Sequence, residues 1–205
     1  MKNFLLSIIF CFFIFTLLKA QDYPGGYNPE NKNAGNKGKK VSAYFYFDLK
    51  FLKMTDVYGT EFGGGAGALF HGKLGLGVEY FTLLSNNIRV QVNDTTNFAL
   101  GLGYGGFELS YSFYFLNIIK LTPAVMTGLG RVTNSYQNVV GVSSYSNDDW
   151  FFILEPRAKV DIRLLRGFML DLFAGYRMPL GLKYYNIGNE DLTNVFFGVG
   201  IMFLR

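Results

Sequence analysis

The chain has 205 residues, of which 50% are apolar and 18% aromatic, with 25 glycines and 5 prolines. This length fits one domain plus processing segments, and the abundance of Phe and Tyr favours β-strands. Six of the 19 basic and two of the 15 acidic residues precede residue 41, so residues 41–205 have no net charge. That balance argues against nucleic-acid binding.

The first 40 residues read as processing and linking segments. Lys2 is followed by the apolar run Phe4–Leu18, which predicts a signal peptide over 1–20 with Ala20 before the cleavage site. Residues 21–40 are rich in Asn, Gly and Lys and are predicted to be disordered. The single cysteine, Cys11, lies in the predicted signal peptide, so the mature chain is expected to lack disulfides.

Alternation of apolar and polar residues begins at Val41 and predicts strands, with no convincing helical pattern. Strand one covers about 41–53. After a short loop, Thr55–Thr60, strand two covers about 61–70, and its many glycines leave its facing ambiguous. His71-Gly72-Lys73 forms a tight turn. Strand three covers about 74–84, and a polar loop covers about 85–96.

Strand four is long, about 97–116, and its apolar residues change parity along the strand. Leu100 and Leu102 share one parity, whereas Leu109 and Tyr111 have the other. The phase slips at Gly105-Gly106. A β-bulge explains such a slip, and glycine tolerates its geometry. A tight hairpin at the two glycines is the alternative, which we disfavour because its strands would be very short.

The rest of the chain continues the same pattern. After a turn at Asn117–Lys120, the predicted elements are strand five at about 120–132, a loop at 134–149, strand six at Phe152–Arg163, strand seven at about 168–178, a loop at about 180–193 and strand eight at 194–205. Longer and very short connections alternate. The sequence therefore predicts an all-β fold, a closed antiparallel up-and-down barrel of about eight strands over residues 41–205.

Strand six has the clearest pattern. From Leu154 to Arg163, apolar residues alternate with charged ones, so one face of the strand is apolar and the other is charged. A soluble lipocalin-like barrel would turn the apolar face inward, whereas a membrane barrel would turn it toward lipid. The period alone leaves both arrangements open.

Three features favour lipid outside. The face opposite the bulky apolar rows is rich in glycine, which suits the narrow interior of an eight-stranded barrel. Aromatic residues cluster near strand ends, as in membrane barrels. The charges on the opposite face nearly balance, which suits a lumen filled by ion pairs. The predicted structural lumen network is Asp48, Lys50, Glu79, Glu108, Glu155, Arg157, Lys159, Asp161, Arg163, Asp171 and Arg177.

The whole pattern resembles the small eight-stranded outer-membrane β-barrel family of Gram-negative bacteria, of the OmpX and OmpA-barrel kind. The resemblance rests on the leader Met1–Ala20, the alternating stretch Leu154–Arg163 and the closing stretch Val195–Arg205. It implies a multi-pass barrel in the cell outer membrane. The implied partners are outer-membrane lipid, lipopolysaccharide and, during biogenesis, the barrel-insertion machinery that reads the last strand. That strand usually ends in an aromatic residue, whereas here Phe203 is followed by Leu204-Arg205.

The leading functional hypothesis is a non-enzymatic barrel with a plugged lumen, acting in envelope integrity or surface interaction through loops 85–96, 134–149 and 180–193. The alternatives are a narrow passive channel, a lipid-modifying enzyme and a soluble lipocalin-like carrier. An outer-rim enzyme would need a histidine base, and the single histidine, His71, is predicted in a turn on the other side. We predict no catalytic, cofactor-binding or metal-binding residues.

Overall fold

A computed structural model describes residues 41–54, 57–85, 88–93, 96–115, 118–135, 148–165 and 167–204. The predicted signal peptide (1–20), the predicted disordered segment (21–40) and residues 136–147 of the predicted loop lie outside these ranges. Among the described residues, no helix is long and apolar enough to cross a membrane.

Strands dominate the described part of the chain. In chain order the elements are β1 Val41–Met54, β2 Val57–Phe70, β3 Leu74–Leu83, β4 Arg89–Asn93, β5 Thr96–Tyr111, β6 Phe113–Tyr114, β7 Ile119–Ser135, β8 Asp149–Leu165, β9 Phe168–Leu180, the helix α1 Asn189–Leu192 and β10 Asn194–Leu204.

The strands close into one antiparallel barrel. β1 pairs with β2 on one side and with β10 on the other, which joins the two ends of the sheet. β5 pairs with both β3 and β7, while β4 extends beside the start of β5 and the two-residue β6 beside the start of β7. The wall therefore has eight strands, β1, β2, β3, β5, β7, β8, β9 and β10, which confirms the predicted up-and-down barrel.

The two ends of the barrel differ in their connections. The turn end carries the connections from β2 to β3, β6 to β7 and β8 to β9. At the first of these, His71 and Gly72 have positive φ angles of 51° and 70°, and the Lys73 amide donates to the Phe70 carbonyl at 3.0 Å. The loop end carries the connections from β1 to β2, β3 to β5, β7 to β8 and β9 to β10.

Apolar side chains cover the outside of the barrel. Along β1, Phe45 and Phe47 are 48% and 53% exposed, whereas the alternating Asp48 and Lys50 are at most 2% exposed. The other barrel strands also expose large apolar residues, including Phe62, Leu76, Phe107, Val125, Phe152, Leu172 and Phe197. Apolar surface of this extent requires a lipid environment, where a β protein crosses as a closed barrel. The soluble lipocalin-like alternative is therefore wrong, because it requires the opposite facing.

The predicted β-bulge at Gly105-Gly106 is also wrong. β5 keeps one register through both glycines, against β3 and against β7. Gly106 faces Gly128 across β5 and β7, and a Cβ on Gly128 would lie 2.5 Å from the Gly106 Cα, so the two backbones approach closely. The parity change has another cause. Leu100 and Leu102 lie inside the barrel and Leu109 lies outside, on one uninterrupted strand.

Several predicted boundaries also change. The predicted loop 85–96 contains β4, and the predicted loop 180–193 contains α1. β2 begins at Val57 within the segment predicted as a loop, and β7 begins at Ile119 within the predicted turn. Cross-strand pairing extends these strands past the point where their own sequence alternates, which periodicity alone does not report.

Candidate functional site in the barrel interior

The middle of the barrel interior is filled by charged side chains bonded to one another. We call this group the ion-pair layer, and it comprises Lys50, Glu61, Glu79, Tyr104, Glu108, Glu155, Arg157, Lys159 and Arg177. Each is at most 5% exposed. They come from β1, β2, β3, β5, β8 and β9, whose inward residues meet because an eight-stranded barrel has an interior about as wide as its side chains.

Glu155 is the centre of one half of the ion-pair layer. Its Oε2 atom lies 2.5 Å from the Lys50 Nζ atom, and its Oε1 atom accepts a hydrogen bond from the Arg177 Nε atom at 2.7 Å. The Arg157 Nη2 atom lies 3.5 Å from the same carboxylate. Three cations on one buried carboxylate offset the cost of its desolvation.

Arg177 connects Glu155 to the opposite wall. Its Nη1 and Nη2 atoms donate to the two oxygens of Glu61 at 2.8 and 2.7 Å, in the bidentate geometry that makes Arg–carboxylate pairs strong. The Tyr104 hydroxyl donates to Glu61 at 2.7 Å and accepts from the Lys50 Nζ atom at 3.0 Å. The tyrosine thereby joins the two ion pairs into one network.

Arg157 organises the other half of the layer. It contacts both oxygens of Glu79, with the Nη1 to Oε2 distance at 3.0 Å, and Glu79 also accepts from the Tyr46 hydroxyl. The Lys159 Nζ atom lies 2.5 Å from the Glu108 Oε2 atom, which is 3.7 Å from Arg157. Glu61, Glu79, Glu108 and Glu155 thus face four cations, so the ion-pair layer is neutral.

A second charged group lies nearer the turn end, and we call it the aspartate row. It comprises Asp48, Asp171 and Asp161, each at most 2% exposed. Asp161 accepts from the Thr122 hydroxyl at 2.7 Å and lies 2.8 Å from the Lys120 Nζ atom. One oxygen of each aspartate has no protein partner. The described residues contain no group of three or more His, Cys, Asp or Glu that could hold a metal ion.

Toward the loop end the interior becomes apolar. We call the buried cluster there the apolar layer; it comprises Leu52, Met54, Phe81, Ile88, Leu100, Leu102, Tyr104, Met126, Val132, Phe151, Ile153, Phe173, Leu182, Tyr184, Ile187, Leu192 and Phe196. The Lys50 Nζ atom lies 3.5 Å from the Phe81 ring centroid and 4.7 Å from that of Phe196, so cation–π contacts connect the two layers.

The segment between β9 and β10, residues 181–193, supplies four side chains of the apolar layer, and we call it the cap. The Leu182 amide donates to the Asn189 side chain at 2.9 Å, and the Gly188 amide donates to the Asp191 carboxylate at 2.8 Å ahead of α1. The Lys183 amide donates to Asp149 of β8 at 2.7 Å. Burial of Tyr184 raises the pKa of its hydroxyl to about 12, so the side chain stays neutral within the cap.

The structure places ten of the eleven predicted lumen residues inside the barrel, each at most 5% exposed, and leaves Arg163 half-buried near the turn end. Sequence reasoning missed Glu61, Lys120 and Tyr104. Glu61 shares its parity with Gly59, Gly63, Gly65 and Gly67 in the printed sequence, and this row of small residues could have revealed its inward direction. Lys120 lies in the segment predicted as a turn.

His71 lies exposed in the turn between β2 and β3, at the end opposite the loops. No other histidine is present in the chain. The geometry therefore brings no histidine to the loop end, where an outer-rim lipid-modifying enzyme would need its base.

No protein-family model matches the chain, and no curated protein matches its sequence. Solved structures match its fold. Neisserial surface protein A is 13% identical over 80% of this chain and 96% of that one, with a TM-score of 0.58. The N-terminal β-barrel domain of OprF from Pseudomonas aeruginosa is 16% identical over 80% and 97%, with a TM-score of 0.48. Ail, the attachment invasion locus protein of Yersinia pestis, is 12% identical over 80% and 97%, with a TM-score of 0.46.

The chain thus has the fold of Neisserial surface protein A, and the predicted resemblance to small eight-stranded outer-membrane barrels is confirmed at the level of the fold. The predicted location in an outer membrane agrees with this fold and with the apolar exterior.

Proposed function

We propose that this protein is a non-enzymatic outer-membrane barrel with a closed lumen, whose activity in envelope integrity or surface interaction is carried by its loop end. The filled interior is the observation that carries this proposal. The ion-pair layer crosses the barrel from Glu61 on β2 to Glu155 on β8 through Arg177, and the apolar layer lies above it.

The two layers support closure in different ways. An ion crossing the ion-pair layer must break charge-assisted hydrogen bonds between groups that are almost fully buried. An ion crossing the apolar layer must shed water among side chains that offer no replacement ligand. Phe81 and Phe196 at the boundary are both 0% exposed, so the layers meet without an exposed gap at these positions.

Conductance of the purified barrel in planar bilayers tests closure. We expect no steady current from the wild-type barrel and a measurable current from the variant Arg157→Gly/Arg177→Gly, which removes two large side chains from the ion-pair layer. Current through this variant is the positive control, because it shows that the assay detects ions passing through the lumen. A steady, ohmic wild-type current would instead support the narrow passive channel.

The non-enzymatic part of the proposal draws support from the position of His71 at the turn end. Mass spectrometry of lipid A from cells with and without the protein tests it, because an acyl-modifying enzyme changes the lipid mass. We expect identical spectra. A mass change that the variant His71→Ala abolishes would assign the chain to the enzymes.

The proposed orientation places the loop end outside the cell, in contact with lipopolysaccharide, and the turn end in the periplasm. Arg131, 46% exposed in its side chain, lies over the exposed Trp150 ring at 5.8 Å, as suits an interface with anionic headgroups. A membrane-impermeant thiol reagent should label Tyr185→Cys, but not Lys73→Cys, in intact cells. Labelling only at residue 73 would reverse the orientation. We also propose that the insertion machinery reads β10.

A further inference from the structure

The aspartate row is a continuous feature of four neighbouring strands. Asp48 of β1 lies opposite Gly200 of β10, Gly200 lies opposite Asp171 of β9, and Asp171 lies opposite Asp161 of β8. All three carboxyl groups point inward at the same position along the barrel, and all three residues are at most 2% exposed. The row therefore places three acidic groups side by side, away from bulk water.

Gly200 brings Asp48 toward the other two aspartates. A Cβ atom at residue 200 would collide with the Asp48 Oδ1 atom, so the carboxyl group leans over the space that a side chain would fill. That Oδ1 atom has no protein partner, and neither do the Oδ1 atoms of Asp161 and Asp171. Asp161 and Asp171 occupy directly opposite positions on β8 and β9, where Cβ atoms lie about 4.5–5.5 Å apart, so their carboxyl groups are neighbours in the interior.

Most of the nearby cations are bonded to glutamates of the ion-pair layer, Lys50 to Glu155 and Arg157 to Glu79. Lys120 of β7 pairs with Asp161 at 2.8 Å, and Lys159 of β8 is bonded to Glu108 of β5 at 2.5 Å. Arg163, near the turn end of β8, is only half-buried and stays partly exposed to solvent. From β10 only Gly198, Gly200 and Met202 face this part of the interior, and from β5 Ser110 and Ser112 add uncharged hydroxyls. Asp48 and Asp171 are therefore an acidic excess.

Ionising both of two neighbouring carboxyl groups in a buried site is strongly disfavoured, because the like charges repel and neither is solvated. A hydrogen bond between two carboxyl groups also requires one of them to donate a proton. Because the described residues offer no metal-binding group here, a proton is the ligand that the geometry accommodates.

We infer that Asp161 and Asp171 share one bound proton in the folded barrel at neutral pH, with Asp48 adding negative charge beside them. The unfolded chain releases that proton, since both aspartates are then solvated and ionised. The folded state consequently binds more protons than the unfolded state, and raising the pH favours unfolding. The aspartate row thus makes the stability of the barrel sensitive to alkaline conditions in the envelope.

Infrared spectroscopy of the full chain in lipid vesicles, with pH-dependent urea unfolding, tests this inference. We expect a protonated-carboxyl band at neutral pH that disappears in both Asp171→Asn and Asp161→Asn, since either change removes the shared site. The wild-type unfolding equilibrium constant should rise by up to about tenfold per pH unit over the pH range in which the folded barrel still holds the proton and the unfolded chain has lost it. Asp171→Asn should reduce this rise, whereas Glu190→Gln, at an exposed cap residue, should keep it.

The inference fails if the wild type shows no protonated-carboxyl band at neutral pH, or if the band persists in both asparagine variants. It also fails if a chelator destabilises the wild type and added calcium restores it, because a cation then occupies the row. If neither variant folds, the inference still requires both the wild-type band and the rise of wild-type unfolding with pH, and the absence of either overturns it. Closure of the lumen is measured separately by conductance, so the two proposals can fail independently.

Discussion

The ion-pair layer and the apolar layer share five barrel strands, β1, β3, β5, β8 and β9, yet one layer is charged and the other is apolar. Along β5, Glu108 and Ser110 face inward where Phe107 and Leu109 face outward, but Leu100 and Leu102 face inward where Gly101 and Gly103 face outward. The strand passes between these arrangements without a change of register. The inward face of one strand is therefore polar in one half and apolar in the other.

Strand length indicates that the barrel wall contacts two media, lipid and water. A tilted strand crosses the hydrocarbon core with about 9–11 residues, whereas β5 has 16 residues and β7 and β8 have 17 each. We expect the extra residues to extend the wall past the lipid at the loop end, where the outward residues of β3 and β7 include Thr82, Arg131 and Thr133. In this part of the barrel the interior is apolar, and the cap completes its core.

The two layers should also fail differently when altered. The ion-pair layer depends on complete pairing, because removing one partner leaves a buried charge unmatched. The apolar layer depends on filled volume, so its losses should scale with the side chain removed. Four changes, in decreasing order of expected effect, test this contrast.

Arg177→Met should have the largest effect. It removes the contacts to Glu61 and Glu155 and leaves both carboxylates buried, so we expect a loss of about 3–5 kcal/mol in the free energy of unfolding. Urea unfolding in vesicles measures it. The matched control, Arg163→Met, replaces a half-buried arginine and should cost less than about 1 kcal/mol. Equal losses would contradict a central role for the ion-pair layer.

Phe107→Arg places a charge on the lipid-facing side of β5 and should cost about 2–4 kcal/mol, as for arginine near the bilayer midplane. Thr133→Arg places the same side chain on the outward face near the loop end, where we expect about 0–1 kcal/mol. The difference in unfolding free energy between the two variants locates the lipid boundary. Similar costs would show that the wall does not extend past the lipid.

Leu102→Ala removes volume from the apolar layer and should cost about 2–3 kcal/mol, since the residue is 4% exposed. Leu102→Met keeps nearly the same volume and should cost less than about 1.5 kcal/mol. Urea unfolding compares the two variants. If the methionine variant loses as much as the alanine variant, filled volume is not what stabilises this layer.

Leu192→Ser should have the smallest global effect, because it alters the cap rather than the wall. Leu192 is 0% exposed, and its loss should release the cap locally, by about 1.4 kcal/mol or tenfold in amide exchange. Hydrogen exchange followed by mass spectrometry measures the amide exchange rates of residues 181–193, and the rates in β10 serve as an internal control. Uniform acceleration in both would show that the cap does not open independently.

Sequence reasoning succeeded where a property repeats along one strand. The alternation from Leu154 to Arg163 identified a wall strand with one charged face, and the alternation of long and short connections identified the closed barrel. It failed at Gly105-Gly106, where a change of surroundings was interpreted as a change of register. It also left Glu61 out, because a strand with glycine on both faces shows no alternation.

The sequence by itself determined that residues from Val41 onward form strands with one apolar and one charged or small face, because successive side chains of a strand alternate sides whatever surrounds it. Tertiary structure alone decided which charges meet: Lys50 and Glu155 are 105 residues apart, and Glu61 and Arg177 are 116 apart. It also decided where along β5 the polarity reverses. The charge pairing and the position of this reversal depend on the register of every strand and on its position along the barrel axis, which the sequence of a single strand does not encode.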